Sequence, residues 1–446
     1  MNDVTRRVLA TGVGLTCVST GKFKTGSLSV NLITGLDRGT AAATALIPRV
    51  LRRGSAAHGD MRAIADTLDG LYGARVEPIV RKKGELQCVG LYASFVDDDF
   101  LPKGENVLEK TAALVGELLL MPRTRGGLLQ HDYVDGERVN LINDIRAGIN
   151  DKRVYALDRL LSNMCSGEAF GANKLGDENT ARAVTAKALT RRYQELISTA
   201  EIEIFYCGAA SPDRVASALT EALAPLPRRS AERPRGADVL LEPPAPGPRR
   251  FAESLDVQQG KLAVGFRLGE CMKAPDYPAL SVFNAVFGGS VTSKLFLNVR
   301  ERLSLCYYAS SSVEKHKGVM TVSSGVDFDK FDEALREIYA QLDAVAAGDI
   351  SDWELLSAKR AVITSVKSAL DTPAGLEELY FDHAVASIKF APEELAGLAG
   401  LVTREAVASI AAGIRADSEF RLTGAPAEPQ PLGDQPDQQG GHTHEA

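Results

Sequence analysis

With 446 residues the chain is too long to close around one core, so two or more domains are expected. A hydrophobic content of 45% and a mean hydropathy of -0.07 are those of an ordinary globular protein, and no run approaches the about 18 apolar residues of a membrane span. The net charge of -7 gives no electrostatic case for nucleic acid, and six cysteines with no C-x-x-C pair argue against a disulfide scaffold and fit a reducing, cytoplasmic compartment.

Near the N-terminus, Arg6-Arg7 ahead of Val8–Val18 has the outline of a signal peptide. The run carries Gly and Thr throughout and no small-x-small site follows, so it reads as a first strand partnered by Ser27–Ile33. Next comes Ala45-Leu46-Ile47-Pro48-Arg49, then Val50-Leu51-Arg52-Arg53-Gly54-Ser55. Proline inside a helix removes a backbone hydrogen bond and crowds the preceding turn, so a helix here should kink or start late. Met61–Ala74 reads as a helix running into a Gly-rich turn. Further on, Glu137-Arg138 is followed by Asp144-Ile145, and both carboxylates read as a solvated helix face. A strand at Glu201–Cys207 leads into a helix capped by Ser211-Pro212 and running through Leu223.

Seven prolines between Pro225 and Arg250 cannot continue a helix or a central strand, so 225–250 is expected to be a semi-rigid linker. Residues 424–446 lack apolar periodicity and are expected to be disordered. Two bodies remain, 1–224 and 251–423. In the second, Leu280–Ser290 reads as a helix ending in a double glycine, followed by Ser293-Lys294-Leu295-Phe296 and by Arg300-Glu301-Arg302-Leu303-Ser304-Leu305-Cys306-Tyr307. Gly318–Val326 is a strand. It leads to a helix near Asp329 with Phe331, Leu335, Ile338 and Leu342 on one face. Ser351-Asp352-Trp353-Glu354 is a capping box opening another helix. Both bodies end in a strand-then-helix pattern, which suggests a duplicated unit.

Over roughly residues 5–420 these segments resemble the pitrilysin/insulinase metallopeptidases, or inverzincins. That family writes His-x-x-Glu-His on a helix, then an apolar run and Gly-Thr or Gly-Ser. The two His bind zinc, and the Glu acts as general base on the metal-bound water. The third ligand is a Glu within E-R-x-x-x-x-x-E-[IM]. Here the corresponding positions are Ala45, Pro48, Arg49 and Asp144, with Glu137 kept. Alanine offers no donor atom, and arginine's permanent charge repels a cation. The four histidines His58, His131, His316 and His383 are scattered without an i, i+4 pair. His442 and His444 stand in the tail. The resemblance therefore implies a chain with no metal or other cofactor and no self-sufficient peptidase activity.

The stretch from Arg300 to Tyr307 resembles the family's R-E-x-x-G-L-x-Y, whose Arg and Tyr hydrogen-bond substrate across a chamber. Ser304 replaces the glycine, and Tyr308 adjoins Tyr307 on the opposite strand face, so either tyrosine is a candidate. From spacing alone, Arg300 suits a helix end and Tyr307 a half-buried core position. Cys306 has no histidine near it in sequence to activate a thiol. The resemblance implies an α+β fold of two homologous domains, each a mainly antiparallel sheet packed against helices, together forming half of a clamshell chamber. It further implies a non-catalytic subunit that pairs with a zinc-bearing relative around a peptide substrate, with no nucleic acid and no membrane involved. The alternative is a structural or peptide-binding protein without any role in hydrolysis. Bacterial relatives of this zinc-less type are associated by name with modification of a translation elongation factor.

Overall fold

The computed structural model describes residues 3–227, 243, 246–269, 275–388 and 390–424. The first half runs β1 (Asp3–Ala10), β2 (Val13–Ser19), β3 (Thr25–Gly35), α1 (Ala41–Leu51), α2 (Met61–Gly70), β4 (Arg75–Lys83) and β5 (Leu86–Val96). There follow α3 (Val107–Leu120), a small hairpin of β6 (Thr124–Arg125) and β7 (Leu128–Leu129), α4 (His131–Ala147) and α5 (Lys152–Met164). It closes with α6 (Glu178–Arg182), α7 (Ala186–Thr199), β8 (Glu201–Gly208) and α8 (Pro212–Ala222).

The second half begins with β9 (Arg249–Leu255), β10 (Gly260–Arg267), α9 (Tyr277–Phe287), a π-helix over Leu295–Arg302, β11 (Cys306–Glu314) and β12 (Val319–Val326). It ends with α10 (Phe331–Ala346), α11 (Asp352–Ala369), α12 (Pro373–Ala386), α13 (Glu394–Leu401), α14 (Arg404–Gly413) and β13 (Arg415–Gly424). Because β9 opens at Arg249, the last two residues of the expected linker belong to the second sheet. Arg249 is held there by an ion pair with Asp417 at 2.6 Å. Most of 225–250, and the tail beyond Gly424, lie outside the described residues.

The duplication is plain in the sheets. The first has the order β1-β2-β8-β3-β5-β4 and the second β11-β12-β10-β13-β9. Read from the other end, the second sheet repeats β2-β8-β3-β5-β4 strand for strand. In each, one parallel pair (β2 with β8, β9 with β13) sits in an otherwise antiparallel sheet. The N-terminal segment departs from expectation. It splits into two strands at a turn where Gly12 has φ 66°, and β2 pairs with β8 rather than with β3. A chain-terminal strand of each half is thereby inserted between strands adjacent in sequence.

Each sheet carries its own helices on one face, and a helix of the other half covers the opposite face. Helix α5 lays Ala156 and Leu160 against Ala263, Phe420 and Leu422 of the second sheet. Reciprocally, α12 lays Phe381 and Val385 against Ile33, Leu86 and Cys88, and Leu376 against Val18, Phe205 and Cys207. Buried ion pairs stitch the same junctions. Arg267 bridges Glu168 (2.6 Å) and Asp417 (2.9 Å), Lys317 bridges Glu85 (2.6 Å) and Glu168 (2.7 Å), and Asp382 on α12 meets Lys83, Lys315 and His316. The two halves are thus one interlocked unit.

Candidate functional site

Helix α1, which carries Ala45, Pro48 and Arg49, starts at Ala41 and continues through Pro48 to Leu51, so the expected late start is not seen. Its burial explains the tolerance: most of its residues pack into the first core, Ala45 among them with no exposed surface, and packing outweighs one missing hydrogen bond. Arg49 Nη1 reaches across to Asp144 Oδ2 on α4 at 2.7 Å. One turn further on, Arg53 Nη1 meets Glu137 Oε1 at 3.2 Å, and its guanidinium lies 5.7 Å from the Tyr133 ring centroid. Glu137 is only 8% exposed, so it is not the solvated residue that spacing suggests. Asp144 is exposed.

Two guanidinium groups, one on α1 and one in the turn after it, therefore reach α4, and the first takes Asp144, the carboxylate at the expected third-ligand position. The residues do not fit zinc: one donor position is an alkane, another a cation, and the third a carboxylate already paired. Among the described residues no group of three or more His, Cys, Asp or Glu is placed to hold a metal ion.

The neighbouring sheet edge is closed as well. Strand β4 ends the first sheet, and Arg52 Nε donates to the Val76 carbonyl at 2.5 Å. Two residues on, Pro78 has no N–H to offer. An incoming strand would find one acceptor taken and one donor missing.

Arg300 and Tyr307 are displayed by three backbone irregularities in succession. The π-helix carrying Arg300 ends with Leu303 N–H donating to Asn298 O at 3.1 Å and Leu305 N–H to Val299 O at 3.0 Å. Ser304 adopts φ 50°, so the serine enters the left-handed region unaided by glycine's freedom. The register of β11 against β12 then slips between Cys306 and Tyr308, leaving Tyr307 on a bulge. Features of this kind cluster at functional positions, because regular structure has no use for them.

The bulge also separates the two tyrosines. Tyr307 is 63% exposed, not a half-buried core residue. Tyr308 turns inward beneath the Arg153 guanidinium, 4.5 Å from its ring centroid. It shares a 3.4 Å hydrogen bond with Ser323, and burial pushes its phenol pKa up. Arg300 lies over the Phe296 ring at 4.7 Å with Nε 3.5 Å from Glu301. Cys306 is buried and its thiol is raised by that burial, which leaves it inert as a nucleophile. Among the described residues no hydrogen bond or ion pair joins Arg300 or Tyr307 to Arg49 or Asp144. The clamp by Arg153, from α5 of the first half onto Tyr308 and Ser310 (2.9 Å) of the second, is invisible in sequence. No local pattern marks a contact of that span.

Fold and site together define a pair of α+β repeats in which the positions expected for a metal, Ala45, Arg49 and Asp144, hold an arginine–carboxylate cross-link. Comparison with known proteins agrees. Residues 183–362 match the model described as the peptidase M16 inactive domain. A protein of Bacillus subtilis described as the probable inactive metalloprotease YmfF is 32% identical over 92% of this chain and 96% of its own. A Streptomyces coelicolor protein described as an uncharacterized zinc protease is 24% identical over 52% of this chain and 51% of its own. The crystal structure of a conserved protein from Enterococcus faecalis V583 superposes with a TM-score of 0.86 at 26% identity, covering 95% of this chain and 99% of that one. This chain belongs to the peptidase M16 family, the pitrilysin/insulinase group. Among the described residues no single helix is long and apolar enough to cross a membrane.

Proposed function

We propose that this chain is the non-catalytic subunit of a heterodimeric M16 peptidase, pairing with a zinc-bearing relative to close a peptide-processing chamber. The observation that carries the reading is the contrast between the two sites. The expected metal positions carry the Arg49–Asp144 pair, with Arg53–Glu137 beside it, whereas Arg300 and Tyr307 are presented to solvent by a π-helix, a left-handed serine and a bulge. Activation of water belongs to the relative's zinc site. This chain's part is to donate hydrogen bonds from the Arg300 guanidinium and the Tyr307 phenol to the substrate carbonyl as it gains negative charge. The free, buried thiols of Cys17, Cys88, Cys165, Cys207 and Cys306 support a reducing cytoplasm as its location.

The test is reconstitution with a zinc-bearing relative, scored on a fluorogenic peptide library and by size-exclusion chromatography. Activity should require both chains, and Arg300→Ala should lower kcat by about 10²–10³-fold, the scale for a lost oxyanion donor. Unchanged turnover in Arg300→Ala, or full activity of the relative alone, overturns the reading. The closed β4 edge, with Val76 O capped by Arg52 and Pro78 lacking its donor, refuses an added peptide strand and so favours the structural form of the alternative, a protein with no hydrolytic role. That alternative gains if the reconstituted pair forms but cleaves nothing.

A further inference from the structure

A cleft of about 840 Å³ opens between the C-terminal end of α4, helix α5 and the loop after Phe170, with Glu314 at the C-terminal end of β11 on its lining. Its size is that of a small-molecule site, which runs about 300–1,000 Å³. One wall is apolar and wet. Ile149 (37% exposed) and Val154 (47% exposed) stand at its mouth, with Leu161 behind them. That arrangement is built in: the Asp151 carboxylate accepts from the backbone N–H groups of Arg153 and Val154, so the first turn of α5 is fixed with Val154 on the cleft. Arg153 leaves that same turn to grip Tyr308 and Ser310, which ties the cleft wall to the motif strand.

The charged groups facing this wall divide into those already engaged and those still available. Arg146 is paired with Glu178 at 2.6 Å, Arg159 with Glu253, and the Asp177 side chain caps α6. The Lys82 ammonium donates to the carbonyls of Phe170 and Ala172 (3.1 Å) and packs 3.8 Å from the Phe170 ring centroid. Burial pushes Lys82 down to about 8. The Glu314 carboxylate, also on the lining, accepts from the His316 backbone N–H at 3.3 Å, and its charge acts on Lys82. The other two charges, of opposite sign, are less engaged. Asp158, exposed on α5, has a single contact at the limit of hydrogen bonding, 3.5 Å from Asn173 Nδ2. Burial raises the Asp158 pKa, and the charges of Lys82 and Lys174 oppose that rise; Lys174 is exposed and has no ion pair among the described residues.

An apolar wall with one available carboxylate and one available ammonium is complementary to a single chemistry. We propose that the cleft binds short zwitterionic peptides of apolar residues, with the α-ammonium at Asp158, the α-carboxylate at Lys174 and a side chain against Val154 and Ile149. Blocked or internal peptide segments lack one or both charges and are disfavoured by the group left unpaired. The cleft thereby distinguishes free peptide ends from the middle of a chain. The proposal rests on the peptide-handling reading above for its ligand class. Its test reads binding to the isolated chain, so it fails separately from partner-dependent hydrolysis.

The experiment is calorimetric titration of the full chain with the tripeptide Leu-Ala-Leu in three forms: free, N-acetylated and C-amidated. Saturable binding of the free form is expected, weakened about tenfold by either cap, equivalent to about 1.4 kcal/mol per lost pair. Asp158→Asn should make acetylation immaterial while amidation still costs affinity, and Lys174→Met should do the reverse. Both side chains are exposed, so circular dichroism of each variant should match the parent. No saturable binding of the free tripeptide, equal affinity for all three forms, or caps that still matter in the matched variants would each overturn the assignment.

Discussion

Replacing Asp382 by Asn isolates the interlock between the halves. Asp382 has no exposed surface and lies at 2.7 Å from Lys83 and 2.9 Å from His316, with Lys315 also paired to it. Asparagine keeps the shape and removes the charge, leaving cations from β4 and from the β11–β12 turn facing a neutral amide. Breaking a buried pair by removing one partner costs about 3–5 kcal/mol. Lys83 retains Glu378, and Lys315 is partly exposed and can turn to water, so the lower end applies, about 3 kcal/mol. That is a large share of the about 5–15 kcal/mol that holds a typical native state.

The readout is a urea titration, with amide hydrogen exchange followed on α12, β4 and β5. The midpoint should fall, and exchange should rise in those elements first. As a control, Asp371→Asn breaks the exposed pair with Lys22 and should cost under about 1 kcal/mol. The pH dependence fixes the sign. Burial alone would raise the Asp382 pKa, but the His316 hydrogen bond and the charges of Lys315 and Lys83 outweigh it and hold the carboxyl well below the usual range. A depressed native pKa contributes stability above the unfolded value of about 3.9 and loses it as pH falls through and below that value. The gap between wild type and Asp382→Asn should therefore be widest near neutrality and close below about pH 4. A gap under about 0.5 kcal/mol at pH 7, or one that grows on acidification, would refute the argument.

Two further outcomes follow from the same geometry. After equilibration with zinc and desalting, the chain trimmed after Gly424, which removes His442 and His444, should retain far less than one zinc per chain by mass spectrometry; a stoichiometric ion would show that Arg49–Asp144 does not close the site. Gly90→Ala should prevent folding, because a Cβ there would stand 1.8 Å from the Val30 carbonyl oxygen on the neighbouring strand β3; a soluble, cooperatively melting variant would mean that β3 and β5 can part without cost.

What the sequence disclosed, and what it hid, follows the range of the interactions. Period-3.6 faces and caps are local, so the buried Phe331, Leu335, Ile338 and Leu342 of α10 and the capping box of Ser351 and Glu354 were both legible. The loss of the metal ligands was legible because a single residue type decides it. Its replacement by Arg49–Asp144 was not, since the partners lie 95 residues apart and nothing local distinguishes a paired arginine from a solvated one. The pairing of β2 with β8 was hidden for the same reason. A π-helix arises from hydrogen bonds reaching one residue further than in an α-helix, and composition carries no sign of it. Helix α12 gave no clear face because it has two. Leu376, Phe381 and Val385 pack on the first sheet while Ala386 enters the second core, and a helix buried from both sides loses its periodicity.

That two-sided burial bears on how far the halves can be separated. Although the sheets are repeats and the proline-rich connection looks like a domain boundary, each sheet has one face closed only by the other half. Residues 1–227 expressed alone would expose the surface of the first sheet covered by Leu376, Phe381 and Val385, each buried in the whole chain. The large side chains so uncovered are Val18, Ile33, Leu86 and Phe205, and at about 1.5–3 kcal/mol for each one fully exposed the loss reaches roughly 6–12 kcal/mol, before counting Arg81 and Lys83 deprived of Glu377 and Asp382. A deficit of that size matches the whole stability of an ordinary domain. The fragment should therefore bind a hydrophobic dye and lack a cooperative thermal transition, and co-expression with residues 246–424 should restore both solubility and cooperative melting. A monomeric, cooperatively folding 1–227 fragment would show instead that the repeats are independent domains and that the exchanged helices are decoration on two self-sufficient cores.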